Sequence, residues 1–142
     1  MKTILDCSMA LAWLIARPDR DQTALAEQVF TKVAAYGAEV PAAWYSELAN
    51  TLLALERARR LTQQEVTSYL ADVALLGIRQ DEEPCATRQA QVLDLARMHR
   101  LSVYQSAYLE LAMRRAAVLA TFDSPLAGAA RAAGVRVFGD RL

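Results

Sequence analysis

Two short apolar runs of the sequence are each followed by an aspartate, and these two acids are the residues best placed to do chemistry. The run Thr3–Leu5 leads directly to Asp6. The run at residues 117–120 leads closely to Asp123. Because a parallel sheet binds its ligand at the carboxyl ends of the strands, we expect both carboxylates to face one crevice. The alternative is that each aspartate only caps the helix that follows it.

Glu47 is a third acid that could join them. It lies early in a predicted helix, at the edge of an apolar face in the segment PAAWYSELANTL. On spacing alone, an ion pair or solvent exposure explains such a glutamate. Together with the two aspartates, it would belong to a cluster of acids that repel one another unless a cation lies between them. Hard divalent ions such as Mg²⁺ and Mn²⁺ bind through oxygen ligands of this kind.

The rest of the sequence predicts the elements that would position these acids. Short apolar strands alternate with longer helices, which indicates a parallel sheet in a single α/β domain over residues 1–142. We expect a short central parallel β-sheet flanked by helices, in a helix-rich three-layer α/β/α arrangement. The predicted strands are Thr3–Leu5, 39–41, Ile78–Gln80, 117–120 and 135–138. The predicted helices are 8–16, 42–60, 84–100, 125–133, one from the cap Asp21 to about Tyr36, one from the cap Thr62 to about Leu76, and one that begins at Ser102.

Composition limits the classes of function. The chain carries 16 Lys and Arg against 16 Asp and Glu, so no strong basic field points to tight, non-specific nucleic-acid binding. Two cysteines and one histidine build neither a disulfide framework nor a histidine-based zinc centre. The apolar run near the N-terminus is interrupted by Asp6 and is too short to span a bilayer. We therefore expect a cytoplasmic protein without a membrane anchor.

Motifs in order along the chain resemble those of PIN-domain ribonucleases, and more closely the VapC-like toxins of bacterial toxin–antitoxin pairs. They read LDCSMALAWL, PAAWYSELANTL, LSVYQSAYLELA and LATFDSPLAGAARAAGV, and they extend over almost the whole chain. The resemblance implies a PIN-like fold and an endoribonuclease that hydrolyses RNA phosphodiesters with Mg²⁺ or Mn²⁺. It also implies an RNA substrate, a cognate antitoxin protein as partner, and a homodimer.

The resemblance also implies roles for individual residues. Asp6 and Asp123 would be metal ligands, and Glu47 would be a third acid that acts directly or through water. Two hydroxyls near these acids would orient water or phosphate, and an amide would support Glu47. These supporting residues are Ser8, Thr121 and Asn50, for which helix capping or solvent exposure is the alternative.

Gln105 stands where the family usually has an aspartate, in the first turn of the helix that begins at Ser102. A glutamine oxygen can still bind a hard cation but brings no charge, so metal affinity and activity should be weakened or abolished. Glu110 lies about 140° further around the helix. It is therefore expected to be solvated or paired with Arg114 instead of replacing the missing acid. Three interpretations stay open: an active enzyme with three acids, a natural inactive module that binds antitoxin or RNA, and a nuclease disarmed on purpose.

RNA binding requires cations near the acids. The candidate cations are Arg17, Arg57, Arg59, Arg60, Arg114 and Arg115. The alternative is that these arginines are solvated ends of helices, where cations favour the C-terminal dipole. A phosphoryl-transfer or receiver-like domain is a further possibility, but neither Asp6 nor Asp123 has a suitably placed lysine in the sequence.

Overall fold

A parallel sheet lies at the centre of the computed structural model, which describes residues 1–141. Its strands are β1 (Thr3–Leu5), β2 (Ala38–Val40), β3 (Ile78–Gln80) and β4 (Val118–Ala120), in the spatial order β3-β2-β1-β4. The helices are α1 (Cys7–Leu11), α2 (Arg20–Tyr36), α3 (Trp44–Arg57), α4 (Gln63–Ala74), α5 (Cys85–His99), α6 (Val103–Arg115) and α7 (Ser124–Ala132). This confirms the predicted helix-rich, three-layer α/β/α architecture.

β1 and β4 are direct neighbours in the sheet, and this pairing determines where the candidate site lies. Ile4 is in register with Leu119, and Leu5 with Ala120. All four side chains are fully buried, because both faces of a parallel sheet are covered by helices. The residues that leave the carboxyl ends of β1 and β4 therefore emerge side by side.

Capping residues explain where several helices begin. Thr62 and Glu65 form the predicted capping box of α4. The N-cap of α2 is Asp19 instead of the predicted Asp21, because the Asp19 side chain accepts hydrogen bonds from the backbone N–H groups of Asp21 and Gln22. Asp21 lies in the first turn, where its charge favours the positive end of the helix dipole. Among residues 1–141, none of the helices has both the length and the apolar character that crossing a membrane requires.

The structure corrects two predicted elements. The helix predicted at 8–16 ends at Leu11, after which the chain tightens so that Trp13 donates its backbone N–H to Ala10 O at 3.2 Å. The Trp13 indole donates to Ala26 O in α2 at 3.0 Å, which ties this turn to the neighbouring helix. The strand predicted at 135–138 is reduced to one parallel bridge between Leu119 and Val137. Glycines with positive φ on both sides of that segment limit its length.

Two glycines allow β2 and β3 to begin close together. Gly37 has φ of 77°, and a Cβ on it would lie 2.4 Å from the carbonyl oxygen of Gly77. That same carbonyl accepts the backbone N–H of Ala38 at 3.0 Å. A side chain at position 37 would therefore break the start of the sheet as well as strain the backbone.

An ion-pair network anchors the carboxyl end of α6. Glu110 is buried and accepts hydrogen bonds from Arg88 and Arg114, which confirms the predicted pairing with Arg114. Arg114 also binds Asp81 after β3, and Arg115 binds Glu39 in β2. Burial alone would raise the pKa of Glu110, but the hydrogen bonds from Arg114 and Arg88 outweigh it and hold the pKa below its ordinary value.

Candidate active site

Asp6 and Asp123 lie at the same edge of the sheet, at the ends of the two neighbouring strands. The backbone N–H of Asp6 donates to Ala120 O at 3.0 Å, so the residue continues the ladder of β1 with β4. Asp123 caps α7, since one of its carboxylate oxygens accepts the backbone N–H of Leu126 at 3.0 Å. Asp6 precedes α1 but makes no such side-chain cap bond. The capping interpretation therefore applies to Asp123 and leaves the Asp6 carboxylate to other partners.

Two hydroxyls connect these aspartates. Asp6 Oδ2 accepts hydrogen bonds from Ser8 Oγ at 2.8 Å and from Thr121 Oγ1. Thr121 Oγ1 in turn accepts the backbone N–H of Asp123 at 2.9 Å, and Ser8 Oγ accepts that of Phe122 at 2.9 Å. Ser8 and Thr121 thus fix the Asp6 carboxylate in position against the loop that carries Asp123.

The site concentrates negative charge in a poorly solvated place. Asp6 is 7% exposed. Burial raises the pKa of Asp6, the hydrogen bonds from Thr121 and Ser8 oppose that shift, and the charge of Asp123 adds to it. A positive charge placed between the carboxylates would relieve both the burial cost and the repulsion.

Glu47 approaches the aspartates from the first turn of α3. It is half-buried, and burial followed by the charge of Asp6 raises its pKa. Tyr108 OH donates to Glu47 Oε2 at 3.4 Å, whereas Asn50, expected to support this glutamate, is exposed. Tyr108 OH also lies 3.6 Å from the Cys7 thiol, where burial raises the thiol pKa to about 12.

Sequence reasoning missed Tyr108 as a site residue. It lies three positions after Gln105 in α6, so the helical period places both side chains on neighbouring parts of one face. Tyr108 is 2% exposed, and its hydroxyl needs a polar partner, which Glu47 supplies. The helical spacing from Gln105 is the signal that could have identified it.

Gln105 lies where the sequence placed it, directly against Asp123. Its amide nitrogen Nε2 donates to both carboxylate oxygens of Asp123, at 3.2 Å and 3.0 Å. Its amide oxygen accepts the backbone N–H of Ser102 at 2.9 Å, and Ser102 Oγ accepts the backbone N–H of Gln105 at 3.1 Å. This capping box fixes the orientation of the amide, because its oxygen faces a donor and its nitrogen faces a carboxylate. Gln105 therefore presents N–H groups, and no oxygen, to the acids.

The residues present fit a hard divalent cation by the chemistry of their donors. Asp6, Asp123 and Glu47 offer carboxylate oxygens, which Mg²⁺ and Mn²⁺ prefer. The pKa of Asp6 is raised by burial first and also by repulsion from Asp123, and a cation would oppose both effects. Within residues 1–141, however, no three His, Cys, Asp or Glu side chains lie close enough together to hold one metal ion. The amide of Gln105 also occupies both oxygens of Asp123.

The sheet order and the flanking helices define a PIN-like α/β/α fold. No family model and no curated protein matches the sequence. The fold is similar to PAE2754 from Pyrobaculum aerophilum, with 20% identity, a TM-score of 0.69, and coverage of 91% of this chain and 86% of that chain. It is also similar to FitAcB from Neisseria gonorrhoeae, with 20% identity, a TM-score of 0.65 and 96% of both chains covered. A structure of FitAB bound to an IR36 DNA fragment matches with 18% identity, a TM-score of 0.57, and 96% and 93% coverage.

Proposed function

We propose that this protein is a metal-dependent endoribonuclease that acts as the toxin of a toxin–antitoxin system. The observation that carries the proposal is the pair Asp6 and Asp123, held at adjacent strand ends and connected through Thr121. Active sites of open parallel sheets lie at this edge. The PIN-like fold and its likeness to FitAcB support the same proposal.

The proposed roles follow from the contacts of each acid. Asp6 and Asp123 would hold Mg²⁺ or Mn²⁺, and Glu47 would contribute directly or through water. When bound, the metal polarises a phosphate and lowers the pKa of a bound water. Ser8 and Thr121 hold the Asp6 carboxylate in one orientation, so that its charge is in place before a ligand arrives.

Glu47 is the acid best suited to move a proton. Burial, followed by the charge of Asp6, raises its pKa above the ordinary value, and a carboxylate with a raised pKa holds a proton more readily. Tyr108 OH restrains the carboxylate from the buried side. Glu47 is only half-buried, which leaves the carboxylate accessible from the crevice.

A second candidate function is a module that binds antitoxin or RNA without cleavage. The observation that favours it is the Gln105 amide, which places hydrogen-bond donors on both oxygens of Asp123 where a cation would otherwise bind. These hydrogen bonds already neutralise part of the repulsion that would attract a metal. This candidate predicts weak metal binding and no cleavage at high Mn²⁺.

We further propose a cognate antitoxin and a second copy of the chain as partners, with RNA as substrate in the cytoplasm. Support comes from large apolar side chains that remain exposed on α3 and α4, namely Tyr45 at 46%, Leu53 at 39% and Leu70 at 39%. Tyr45 and Leu70 line one cavity between α3 and α4, and neighbouring exposed apolar side chains of this size favour protein contacts. Light scattering of the purified protein tests the second copy, since a mass of one chain would contradict the homodimer. The same measurement after co-expression with candidate antitoxin proteins tests the antitoxin.

The decisive experiment is cleavage of a structured RNA pool with Mg²⁺, with Mn²⁺ and with chelator. The wild-type protein is compared with Gln105→Asp, and Asp6→Asn serves as the variant that removes a proposed metal ligand. Cleavage by the wild type that stops with chelator and in Asp6→Asn supports the nuclease with three acids. Cleavage only by Gln105→Asp identifies a disarmed nuclease. No cleavage and no metal binding by any variant leaves the binding module as the better account.

A further inference from the structure

Arg17 is held in one position at the edge of the candidate site. Its guanidinium carbon lies 4.5 Å from the centre of the Phe122 ring, and its Nε donates to Gln22 Oε1 at 2.9 Å. Its backbone is fixed as well, because the N–H and the carbonyl of Arg17 both bind the Thr23 hydroxyl at 3.1 Å. A guanidinium fixed in this way has already lost much of its conformational freedom before any ligand binds.

The residue under the guanidinium belongs to the loop of the site. Phe122 lies between Thr121 and Asp123, and its backbone N–H donates to Ser8 Oγ at 2.9 Å. The amino end of α2 also lies at this edge of the sheet, because α2 leads back to the start of β2. Arg17 is therefore beside the acids without contacting them.

The charge of Arg17 is not neutralised by a neighbour. Within residues 1–141, no carboxylate lies within 4.0 Å of Arg17, and its Nε binds a neutral amide. By contrast, Arg114 and Arg115, which the sequence also offered as RNA contacts, are paired with Asp81 and Glu39. A guanidinium that stacks on an aromatic ring and keeps its terminal nitrogens unpaired matches the geometry of a phosphate.

We propose that Arg17 is a substrate-binding residue that holds a backbone phosphate of a single RNA strand lying across the candidate site. The identity of the substrate rests on the proposed function. The acids repel the phosphates of RNA, so an unpaired cation beside them is needed to bring the strand close. Arg17 supplies this cation from a fixed position over the Phe122 ring.

Fluorescence anisotropy with a labelled single-stranded RNA in chelator tests this proposal without any cleavage. The variants are Arg17→Gln, which removes the charge, and Arg17→Lys, which keeps it. Arg136→Gln is the matched control, because Arg136 is exposed and its side chain takes no part in the contacts of the candidate site. Loss of one phosphate contact should weaken binding about fivefold at about 0.1 M salt and reduce the slope of log affinity against log salt by about 0.7. We expect this result for Arg17→Gln only, with the slope retained in Arg17→Lys.

Thermal unfolding of each variant shows that the proteins compared are folded. Equal losses in Arg17→Gln and Arg136→Gln would overturn the proposal, as would an unchanged salt slope or a wild type that does not bind RNA. The outcome is separable from that of the nuclease proposal. RNA binding that depends on Arg17, without cleavage in Mn²⁺, would refute the nuclease proposal and support the role of Arg17 in binding RNA. Cleavage by the wild type, with RNA binding unaffected by Arg17→Gln, would support the nuclease proposal and refute the role of Arg17.

Discussion

Replacing Gln105 by aspartate should destabilise the protein without metal, and excess metal should recover much of that loss. In the wild type, the Gln105 amide donates to both oxygens of Asp123. An aspartate at position 105 removes this donor and places a second carboxylate beside the first. Gln105→Asn is the matched control, because asparagine has the same size as aspartate and carries no charge.

The loss in the free energy of unfolding has two separable contributions. Both variants lose a hydrogen bond to a charged group, which contributes about 1.5–3 kcal/mol. Aspartate adds repulsion from Asp123, which we place at about 1 kcal/mol because Asp123 is partly exposed and water screens the pair. Without metal, the aspartate variant should therefore unfold at a temperature about 3 °C below that of the asparagine variant.

Excess Mn²⁺ should reverse this order. A cation that binds the new carboxylate pair stabilises the folded protein by about 2.7 kcal/mol when its concentration is 100 times Kd. That gain exceeds the repulsion, so Gln105→Asp should become more stable than Gln105→Asn. Thermal unfolding of both variants, in chelator and in Mn²⁺, measures the four unfolding temperatures to be compared. Identical unfolding temperatures in chelator, or an equal shift by Mn²⁺ in both variants, would refute the proposed contact between positions 105 and 123.

Asp6→Asn should raise the free energy of unfolding at pH 7 by about 1 kcal/mol. The pKa of Asp6 is raised in the folded protein, so the wild type loses stability as pH rises through that pKa and the uncharged asparagine does not. In urea unfolding, the difference between variant and wild type should disappear as the pH falls to about 4. Asp81→Asn should lower the free energy of unfolding by about 1 kcal/mol at pH 7, because the hydrogen bond from Arg114 lowers the pKa of Asp81 and so stabilises the folded protein. This stabilisation disappears as pH falls, so an equal loss of stability at acid pH would contradict the prediction. Gly37→Ala should lower the free energy of unfolding by about 3 kcal/mol, because the new Cβ strains the backbone and would lie 2.4 Å from Gly77 O. Gly134→Ala is the control, since Gly134 also has a positive φ but has open space around it, and it should lower the free energy of unfolding by about 1 kcal/mol. Equal losses in thermal unfolding would show that the clash at position 37 is relieved.

The sequence predicted those features that depend on local pattern. The position of Asp6 and Asp123 at one sheet edge followed from two apolar runs that each lead to an acid, since parallel strands bring their carboxyl ends together. The capping box at Thr62 followed from residue types at fixed spacing. The contact between Glu110 and Arg114 followed from their separation of four positions in a helix.

Features that depend on contacts between distant segments were not predictable in the same way. Nothing local distinguishes Asp19 from Asp21 as the cap of α2, because both are acids at the same helix start. The early end of α1 depends on the bond from the Trp13 indole to α2. The partner of Glu47 is Tyr108, which lies 61 positions away in the sequence.

The order in which the chain is synthesised decides when the site can exist. Thr121 and Asp6 touch although 115 positions separate them, so their contact is among the most non-local in the fold. A growing chain that ends within α5 already carries Asp6 and Glu47 but has an open edge on β1, where β4 later pairs. Non-local pairing of this kind forms late and slowly compared with helices. The two aspartates therefore reach the same sheet edge only after synthesis has passed β4, so shorter chains carry no assembled site.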